Sequence, residues 1–313
     1  MGATKKKMAT DERATLLALC TLPHIDWSFL AREAQRPGGI VRLIASEPVE
    51  ATPEARRCVQ IIRDGKIDVR AMARNIAQWR ARGLRLVTVL DDEFPVNLRR
   101  IANLPPFLFY RGEMRADDAL SVAVVGTRRP TAEGLRRARR MSRNLVRHGV
   151  TVLSGLARGI DTAAHEAALE AGGRTIAVLG SGLDQIYPRE NSALAERIAG
   201  SGAVVSQFWP DAPPAAYNFP RRNVVMSGLG QGTIVIEASA TSGAKMQARL
   251  AMEHGKQVFL IASLVAEYEW AATYARRGAI VVDDVRGVIR ALRPVEAVRD
   301  ATQERFQLTM QLA

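Results

Sequence analysis

Cysteine is scarce in this chain of 313 residues, because Cys20 and Cys58 are its only two. Two thiols cannot form a disulfide framework or a four-thiolate zinc site, so a reducing cytoplasm is the expected location. The sequence also lacks the run of roughly 18 apolar residues that a membrane-spanning helix needs. Lys5, Lys6 and Lys7 are followed by polar and charged residues instead of the apolar segment of a secretory signal. We expect a soluble, cytoplasmic protein that is not directed to a membrane.

Acidic residues are fewer than basic residues in this chain. The chain has 32 Asp and Glu against 44 Lys and Arg, which gives a formal net charge of +12. A basic protein attracts nucleic acids and other anionic partners over a long range, although an ordinary arginine-rich surface has the same composition. Hydrophobic residues make up 47% of the sequence, enough for a sizeable core. At roughly 100–200 residues per domain, the length favours two domains.

The motifs of common nucleotide-dependent enzymes are missing. A dinucleotide site needs Gly-x-Gly-x-x-Gly, but Gly126 is followed by Thr127 and Arg128, and the pattern that begins at Gly180 has Gln185 in its sixth position. No Gly-x-x-x-x-Gly-Lys-Ser/Thr segment is present for ATP hydrolysis. No set of side chains has the spacing of metal ligands. These absences predict a protein without a cofactor or a metal.

No candidate nucleophile is matched with a base. Ser154, Ser181 and Ser242 lack an identifiable partner in the sequence. His165, one turn into a predicted helix, is expected to be a packed or hydrogen-bonded histidine, and Asp161 is expected to cap the N-terminus of that helix. We therefore predict that the protein is not an enzyme.

From Ser121 onward, short apolar strands alternate with helical stretches. Because strands rich in Val, Ile and Leu are typical of a sheet covered on both faces, the pattern predicts an α/β, Rossmann-like, doubly wound and mostly parallel sheet. The predicted strands are Val122–Val125, Val150–Leu153, Thr175–Leu179, Val204–Ser206, Thr233–Ile236, Val258–Ile261 and Ile280–Val282.

The segment before this alternation has a helical spacing of apolar residues, with Leu16, Leu17 and Leu19 on one face. The pattern predicts a small helical N-terminal domain over residues 1–85. The Rossmann-like domain is then expected over residues 86–292, and residues 293–313 are expected to form a C-terminal tail.

Two glycine- or proline-bearing segments carry adjacent arginines, Gly126–Pro130 and Asn218–Asn223. We predict both as turns. The loops of a parallel sheet that bind ligands lie at the carboxyl ends of its strands, where glycine lets backbone amides approach a phosphate and arginine neutralises it. Phe219 adds a surface on which a base could stack, at about 1–3 kcal/mol per base. The two segments together predict a polyanion site, and nucleic acid is the expected polyanion.

The order of these segments resembles the DNA-processing protein A (DprA/Smf) family over roughly residues 88–261. The matching segments are Val125–Arg129, Leu153–Asp161, Ala164-His165, Ile176–Asp184, Tyr187–Asn191, Asn218–Asn223 and Ser242-Gly243. The resemblance implies a single-stranded DNA-binding protein that acts in DNA processing, natural transformation and recombination by loading RecA. It also implies a homodimer, for which the apolar helix around Met246, Leu250 and Met252 is a candidate interface. The winged-helix module that many relatives carry is expected to be absent.

The resemblance places the DNA-binding residues on these same segments, with Arg128 as the most direct phosphate contact and Asn223 holding its segment in place. The arginine-rich helix that ends at Arg147 is expected to be a solvated face. The full set of expected DNA-binding residues is Gly126, Thr127, Arg128, Arg129, Ser154, Gly155, Arg158, Gly159, Gly180, Ser181, Gly182, Asn218, Phe219, Arg221, Arg222, Asn223, Ser242 and Gly243.

Two alternatives stay open at this point. The first is an antitoxin of a phage-defence module with a cognate toxin as partner, because Ala262–Leu264 and Glu267–Trp270 depart from the pattern that DprA relatives share. The second is a nucleotide phosphoribohydrolase of the lysine-decarboxylase-like superfamily. That enzyme needs Gly-Gly-x-Gly-Thr-x-x-Glu, and here Glu237 falls one position late after Gly230–Thr233.

Overall fold

The computed structural model describes residues 12–47 and 52–311, so Lys5, Lys6 and Lys7 lie outside the described residues. The chain forms two compact units. The first holds the described residues up to Phe94, together with Ala102–Leu108 and the segment from Ala301, and the second holds Pro95–Ile101 and Phe109–Asp300. The domain boundaries predicted at residues 85 and 292 remain a prediction. Within the described residues, no helix is long and apolar enough to cross a membrane.

The first unit is mainly helical. Its N-terminal part contains α1 (residues 12–19), α2 (Trp27–Ala34), α3 (Gly39–Ala45), α4 (Pro53–Asp64), α5 (Val69–Ala81) and strand β1 (Arg85–Thr88). Leu16, Leu17 and Leu19 are fully buried, as their spacing predicts. Polar side chains cap the N-termini of α2 and α5. The Asp26 carboxylate accepts a hydrogen bond from the amide of Ser28, and the Asp68 carboxylate accepts one from the amide of Ala71. Such caps satisfy amides that have no partner inside the helix.

The second unit is built on a sheet whose strands follow the predicted alternation. In sequence they are β2 (Phe107–Gly112), which belongs to this unit from Phe109 onward, β3 (Ser121–Val125), β4 (Thr151–Ser154), β5 (Thr175–Val178), β6 (Ala203–Ser206), β7 (Gly232–Val235), β8 (Gln257–Ile261) and β9 (Ile280–Val282). Their order across the sheet is β2-β6-β5-β4-β3-β7-β8-β9. Only the β2–β6 pair is antiparallel among the pairs from β2 to β9. The predicted α/β class with a mostly parallel sheet is confirmed.

Helices connect and cover these strands. They are α6 (Ala132–Arg147), α7 (Ile160–Glu170), α8 (Ser192–Ser201), α9 (Asn218–Leu229), α10 (Gly243–Glu253), α11 (Ala262–Glu267), α12 (Glu269–Arg276) and α13 (Val285–Ile289). Helix α14 (Val295–Gln311) follows them in the chain, and its residues from Ala301 onward belong to the first unit. The segment predicted as a C-terminal tail thus contains a helix of 17 residues. One core cluster joins Val122 and Val124 of β3 to Ala138 and Leu145 of α6 and to Phe259 of β8. Burial of these apolar side chains holds the layers together.

The strand order reverses direction beside β3. From β3 the chain moves to β4, β5 and β6 on one side, and it then returns to add β7 on the other side of β3. Ligands of open α/β sheets bind at such a switch point, outside the carboxyl ends of the strands. The loop after β3 carries Gly126–Pro130, so the fold brings one of the two predicted arginine segments to this edge.

His165 lies fully buried on α7 and contacts the sheet through Thr175 of β5. The Thr175 hydroxyl donates to Val152 O at 2.8 Å, so it accepts from His165 Nδ1 at 2.7 Å. Burial, with a smaller effect of the Arg222 charge, lowers the pKa of His165 to about 3. The histidine is therefore neutral and hydrogen-bonded in the folded chain, as predicted.

We expect the free energy of unfolding to fall on mild acidification because of His165. Its pKa is about 6.5 in an unfolded chain and about 3 in the fold, so protons favour the unfolded state. The contribution is complete above pH 6.5 and is lost as the pH falls towards 3. At pH 5 the loss is about 2 kcal/mol, from about 1.36 kcal/mol per pKa unit. Urea unfolding at pH 7.5 and pH 5 measures it. His165→Gln should lose part of this pH dependence, and an unchanged dependence would contradict the assignment.

Candidate functional site

The loop after β3 is held by Glu237, which follows β7. The Thr127 amide donates to Glu237 O at 2.7 Å, and the Glu237 carboxylate accepts the Thr131 amide at 3.1 Å and its hydroxyl at 2.8 Å. Thr131 in turn caps α6 by accepting the Gly134 amide. These bonds connect the loops on the two sides of the switch point. Arg128, inside the loop that they hold, stays exposed.

The second arginine segment is a helix start and not the predicted turn. Asn218–Asn223 forms the first residues of α9. Pro220 fits there because the amides of the first helical turn have no partner inside the helix, so the missing proline N–H costs nothing. The consequence is that successive side chains point in different directions around the helix. Arg221 is exposed, whereas Arg222 is buried.

Arg222 is only 7% exposed, and its guanidinium is used inside the protein. Nη1 donates to Gly155 O at 2.6 Å and to Val178 O at 2.7 Å, while Nε donates to Asn223 Oδ1 at 2.9 Å. Burial lowers the pKa of Arg222, the Asp161 carboxylate opposes this shift, and Arg128 adds to it. The predicted contact of Arg222 with phosphate does not fit this burial. Arg222 instead ties the end of β4 and the end of β5 to α9.

Two of the predicted glycines leave room for this arrangement. A Cβ added at Gly155 would lie 2.1 Å from Arg222 Nη1, and one added at Gly180 would lie 2.8 Å from Phe219 Cδ1. Neither distance is compatible with a side chain. Gly155 therefore makes space for the buried guanidinium, and Gly180 makes space for the ring of Phe219.

Phe219 is half-buried at the centre of the site. The Arg128 Cζ lies 5.7 Å from the centroid of its ring, and the ring of Tyr187 lies 6.0 Å away at an angle of 53°. A guanidinium above an aromatic face is attracted by the ring quadrupole. Tyr187 is 47% exposed. The structure thus brings together a partly exposed aromatic pair and an exposed cation.

Asp161 stabilises the loop after β4, but it is not the N-cap that the sequence predicts. The N-cap of α7 is Gly159, and Asp161 is the second residue of the helix. Its carboxylate accepts the amides of Gly155 at 3.1 Å and Ala157 at 3.3 Å. Burial raises the pKa of Asp161, whereas Arg222 and these amides oppose the shift. Two backbone amides of this loop therefore have a partner within the chain.

Arg158 is exposed and already has an anionic partner. Its guanidinium forms a two-point ion pair with Glu190, with Nη2 and Oε2 2.8 Å apart. Beside it, Gly159 has a φ of +78°, a conformation that favours glycine. An added Cβ there would lie 2.5 Å from Thr127 O. Gly159 therefore lets the loops after β3 and β4 come close together.

Several other predicted site residues have structural partners. The hydroxyl of Ser154 donates to Val124 O at 2.7 Å, and that of Ser242 caps α10 by accepting the Ala244 amide at 3.1 Å. Gly182 approaches the carbonyl of Trp209 too closely for a side chain. Gly243 is the first residue of α10. No hydrogen bond joins Ser242 or Gly243 to the Phe219 site in the described part of the chain.

The remaining predicted residues lie around the same edge. Arg129 is exposed and its amide donates to Thr127 Oγ1 at 3.2 Å. Asn218 is buried and donates to Pro213 O at 3.3 Å. Arg221 lies over the ring of Phe208, with Cζ 5.4 Å from its centroid. Ser181 is buried, and its carbonyl accepts the hydroxyl of Ser206.

The arginines of α6 are partly neutralised. Arg136 pairs with Glu133 at 2.7 Å, and Arg139 pairs with Glu166 at 2.8 Å and with Glu170 at 3.4 Å. Surface ion pairs of this kind contribute little stability, but they reduce the charge available to a partner. The predicted solvated face therefore carries less free positive charge than its sequence indicates.

The sequence reasoning left out two residues that the geometry brings into the site. Tyr187 belongs to a segment that resembles the family, yet only its distance to Phe219 identifies it as an exposed neighbour of the ring. The sequence indicates Glu237 only as a candidate catalytic carboxylate, because its hydrogen bonds to Thr131 depend on the pairing of distant loops. Across residues 12–47 and 52–311, no group of three or more His, Cys, Asp or Glu could hold a metal ion.

Comparison with known families identifies the scaffold. The model of the DNA recombination-mediator protein A family matches residues 85–293, which include the sheet from β3 to β9 and all the residues of the site. The chain belongs to this family. The predicted resemblance to DprA/Smf proteins is confirmed.

Curated relatives of this chain carry the names Smf and DprA. Protein Smf of Escherichia coli (strain K12) is 42% identical over 207 residues, which cover 65% of this chain and 55% of that protein. DNA processing protein DprA of Streptococcus pneumoniae is 41% identical over 174 residues, which cover 56% of this chain and 61% of that protein. The chain therefore spans somewhat more than half the length of these relatives.

Solved structures of DprA proteins are similar as well. DprA of Streptococcus pneumoniae has a TM-score of 0.73 at 30% identity, covering 91% of this chain and 98% of that one. DprA of Helicobacter pylori has a TM-score of 0.59 at 28% identity, covering 66% of this chain and 94% of that one. The latter structure is described for its single-stranded DNA binding mode.

We expect Arg222→Ala to destabilise the fold as well as the site. It leaves the carbonyls of Gly155 and Val178 without this donor and the buried Asp161 carboxylate without the nearby cation. Leaving a buried charge without its partner costs about 3–5 kcal/mol. Arg128→Ala removes an exposed cation and should change the free energy of unfolding by less than about 0.5 kcal/mol. Urea unfolding of the two variants measures the difference. If Arg222→Ala were as stable as Arg128→Ala, the structural role of Arg222 would be wrong.

Proposed function

We propose that this chain binds single-stranded DNA at the Phe219 site and acts in DNA processing and recombination. The observation that carries the proposal is the exposed guanidinium of Arg128 beside the rings of Phe219 and Tyr187 at the carboxyl edge of the sheet. Phosphates need a cation, and unpaired bases need an aromatic surface. The binding mode named for the Helicobacter pylori relative supports the same ligand.

The geometry supports a division of roles within the site. Arg128, exposed on its loop, neutralises a phosphate, and Phe219 offers its ring to a base. Stacking is tolerant of sequence because every base has a π face. Arg222 does not meet the strand, and it fixes the start of α9 so that Phe219 keeps its position. The proposed site therefore binds single strands without reading their sequence.

The proposed role in recombination includes loading of RecA and a homodimeric state. Met246 on α10 is 37% exposed, and Leu250 is partly buried one turn later, which supports a small apolar contact surface. Light scattering at micromolar concentration tests the dimer, and a monomer of 34.2 kDa would contradict it. The antitoxin alternative requires a toxin partner, which co-expression with the product of a neighbouring gene would test.

We also propose that the chain acts without catalysis. The carboxylate of Glu237, the one candidate for a phosphoribohydrolase acid, is hydrogen-bonded to Thr131 at the start of α6. Its role in holding the loop after β3 supports a structural function. An assay for base release from nucleoside monophosphates tests this proposal, and turnover that depends on Glu237 would contradict it.

Substitutions at the site should separate charge from stacking. We expect Arg128→Ala to weaken binding to oligo-dT. The slope of the logarithm of the binding constant against the logarithm of the salt concentration should become shallower by about 0.7, the value for one phosphate contact on a single strand. Phe219→Ala should cost about 1–3 kcal/mol of binding free energy with little change in that slope, because it removes stacking and keeps the charges. Fluorescence anisotropy across a range of salt concentrations measures both quantities.

Arg140→Ala is the matched control for charge. Arg140 is exposed on α6 and forms no ion pair with the described residues, so its loss removes the same charge from a different surface. Its binding curve should stay close to that of the wild type. If Arg128→Ala, Phe219→Ala and Arg140→Ala weakened binding equally while remaining folded, the interaction would be diffuse and the proposed site would be wrong.

A further inference from the structure

Half of the formal net charge of this chain lies in a short part of the helical unit. Residues 52–85 contain nine basic and three acidic residues, a net charge of +6 out of the +12 of the whole chain. All nine basic side chains are exposed. They are Arg56, Arg57, Arg63, Lys66, Arg70, Arg74, Arg80, Arg82 and Arg85.

Helix α5 arranges part of this charge in a row. Arg70, Arg74 and Gln78 are spaced four residues apart, so they lie on one face about 6 Å apart along the helix axis at 1.5 Å per residue. All three are exposed. Arg82, four residues after Gln78, is the C-cap residue of the helix. The row therefore presents the two cations of Arg70 and Arg74 on one exposed face, one helical turn apart.

The acids of this segment do not neutralise the row. Asp64 accepts the amide nitrogen of Gln60 at 2.9 Å, and Asp68 accepts the backbone amide of Ala71 at 2.8 Å. Neither Arg70 nor Arg74 forms an ion pair with any residue that the structure describes. Their charges thus remain available to an external anion.

We propose that this row on α5 is a second nucleic-acid surface, which binds the phosphate backbone of duplex DNA. Single-strand sites combine cations with aromatic rings on which unpaired bases stack. The row has no aromatic side chain, and the only one on α5, Trp79, is half-buried. Duplex bases are already stacked, so a duplex requires only charge from its partner, and its phosphates supply a dense anionic surface.

The same residues disfavour an anionic membrane as the partner. A helix that lies on a bilayer inserts an apolar face between the lipids. On α5, Met72 is buried and Ile76 is half-buried inside the protein. The exposed positions hold arginines, polar residues and the small side chains of Ala77 and Ala81, which suit a phosphate backbone better than a bilayer.

The test compares duplex and single-stranded DNA on the full chain. For binding to a 20-base-pair duplex, we expect R70A/R74A to reduce the slope of the logarithm of the binding constant against the logarithm of the salt concentration. The slope should become shallower by about 1.8, at about 0.9 for each phosphate contact. Between 50 and 200 mM salt, the wild type should lose about tenfold more affinity than the variant. Affinity for oligo-dT should change less than twofold. Gln78→Lys, which adds a cation to the row, should strengthen duplex binding and steepen its salt dependence.

R140A/R143A on α6 is the matched control, because both arginines are exposed and lack ion pairs within the described residues. Circular dichroism confirms that each variant is folded.

Unchanged duplex binding by R70A/R74A, or an equal loss in R140A/R143A, would overturn the proposal. An equal loss on oligo-dT would assign the row to single strands instead. Loss of binding to phosphatidylserine vesicles with unchanged duplex binding would assign it to a membrane. Arg128→Ala tests the Phe219 site separately, so either proposal can fail alone.

Discussion

The candidate site depends on the hydrogen bonds that the buried guanidinium of Arg222 donates. One charged group joins the carbonyl of Gly155 after β4 to that of Val178 at the end of β5, and Asn223 holds it from α9. A buried cation is costly to desolvate, and it is tolerated here because Nη1 and Nε both have acceptors and the Asp161 carboxylate balances the charge. The start of α9, and with it Phe219, is thereby fixed over the carboxyl edge of the sheet.

This constraint gives a physical reason for the small residues of the site. Gly155 must lack a side chain because the guanidinium occupies the space, and Gly180 must lack one because Phe219 occupies it. Glycine was expected at these positions to let backbone amides approach phosphate. In the fold, the glycines chiefly let protein groups approach each other. What remains open to a ligand is the surface that they support, with Arg128 beside Phe219 and Tyr187.

The sequence predicts the scaffold better than it predicts the site. Val122–Val125 identifies a buried parallel strand because every position is apolar, and the same pattern recurs along the chain. The start of α9 was missed because Pro220 in a short polar segment is typical of a turn. The burial of Arg222 was missed because its acceptors lie 67 and 44 residues away in the sequence. Periodicity is a local property, whereas burial of a charge depends on tertiary contacts.

The arginines of this chain show why net charge alone is a poor measure of a DNA-binding surface. Arg222 is buried, Arg139 is paired with Glu166 and Glu170, and Arg128 is exposed beside an aromatic ring. All of them count equally in the formal charge of +12. Counterion release, however, reports only those cations that phosphate neutralises on binding. The salt dependence of DNA binding therefore measures the positive charge that the fold leaves free, and it is this smaller quantity that a functional surface requires.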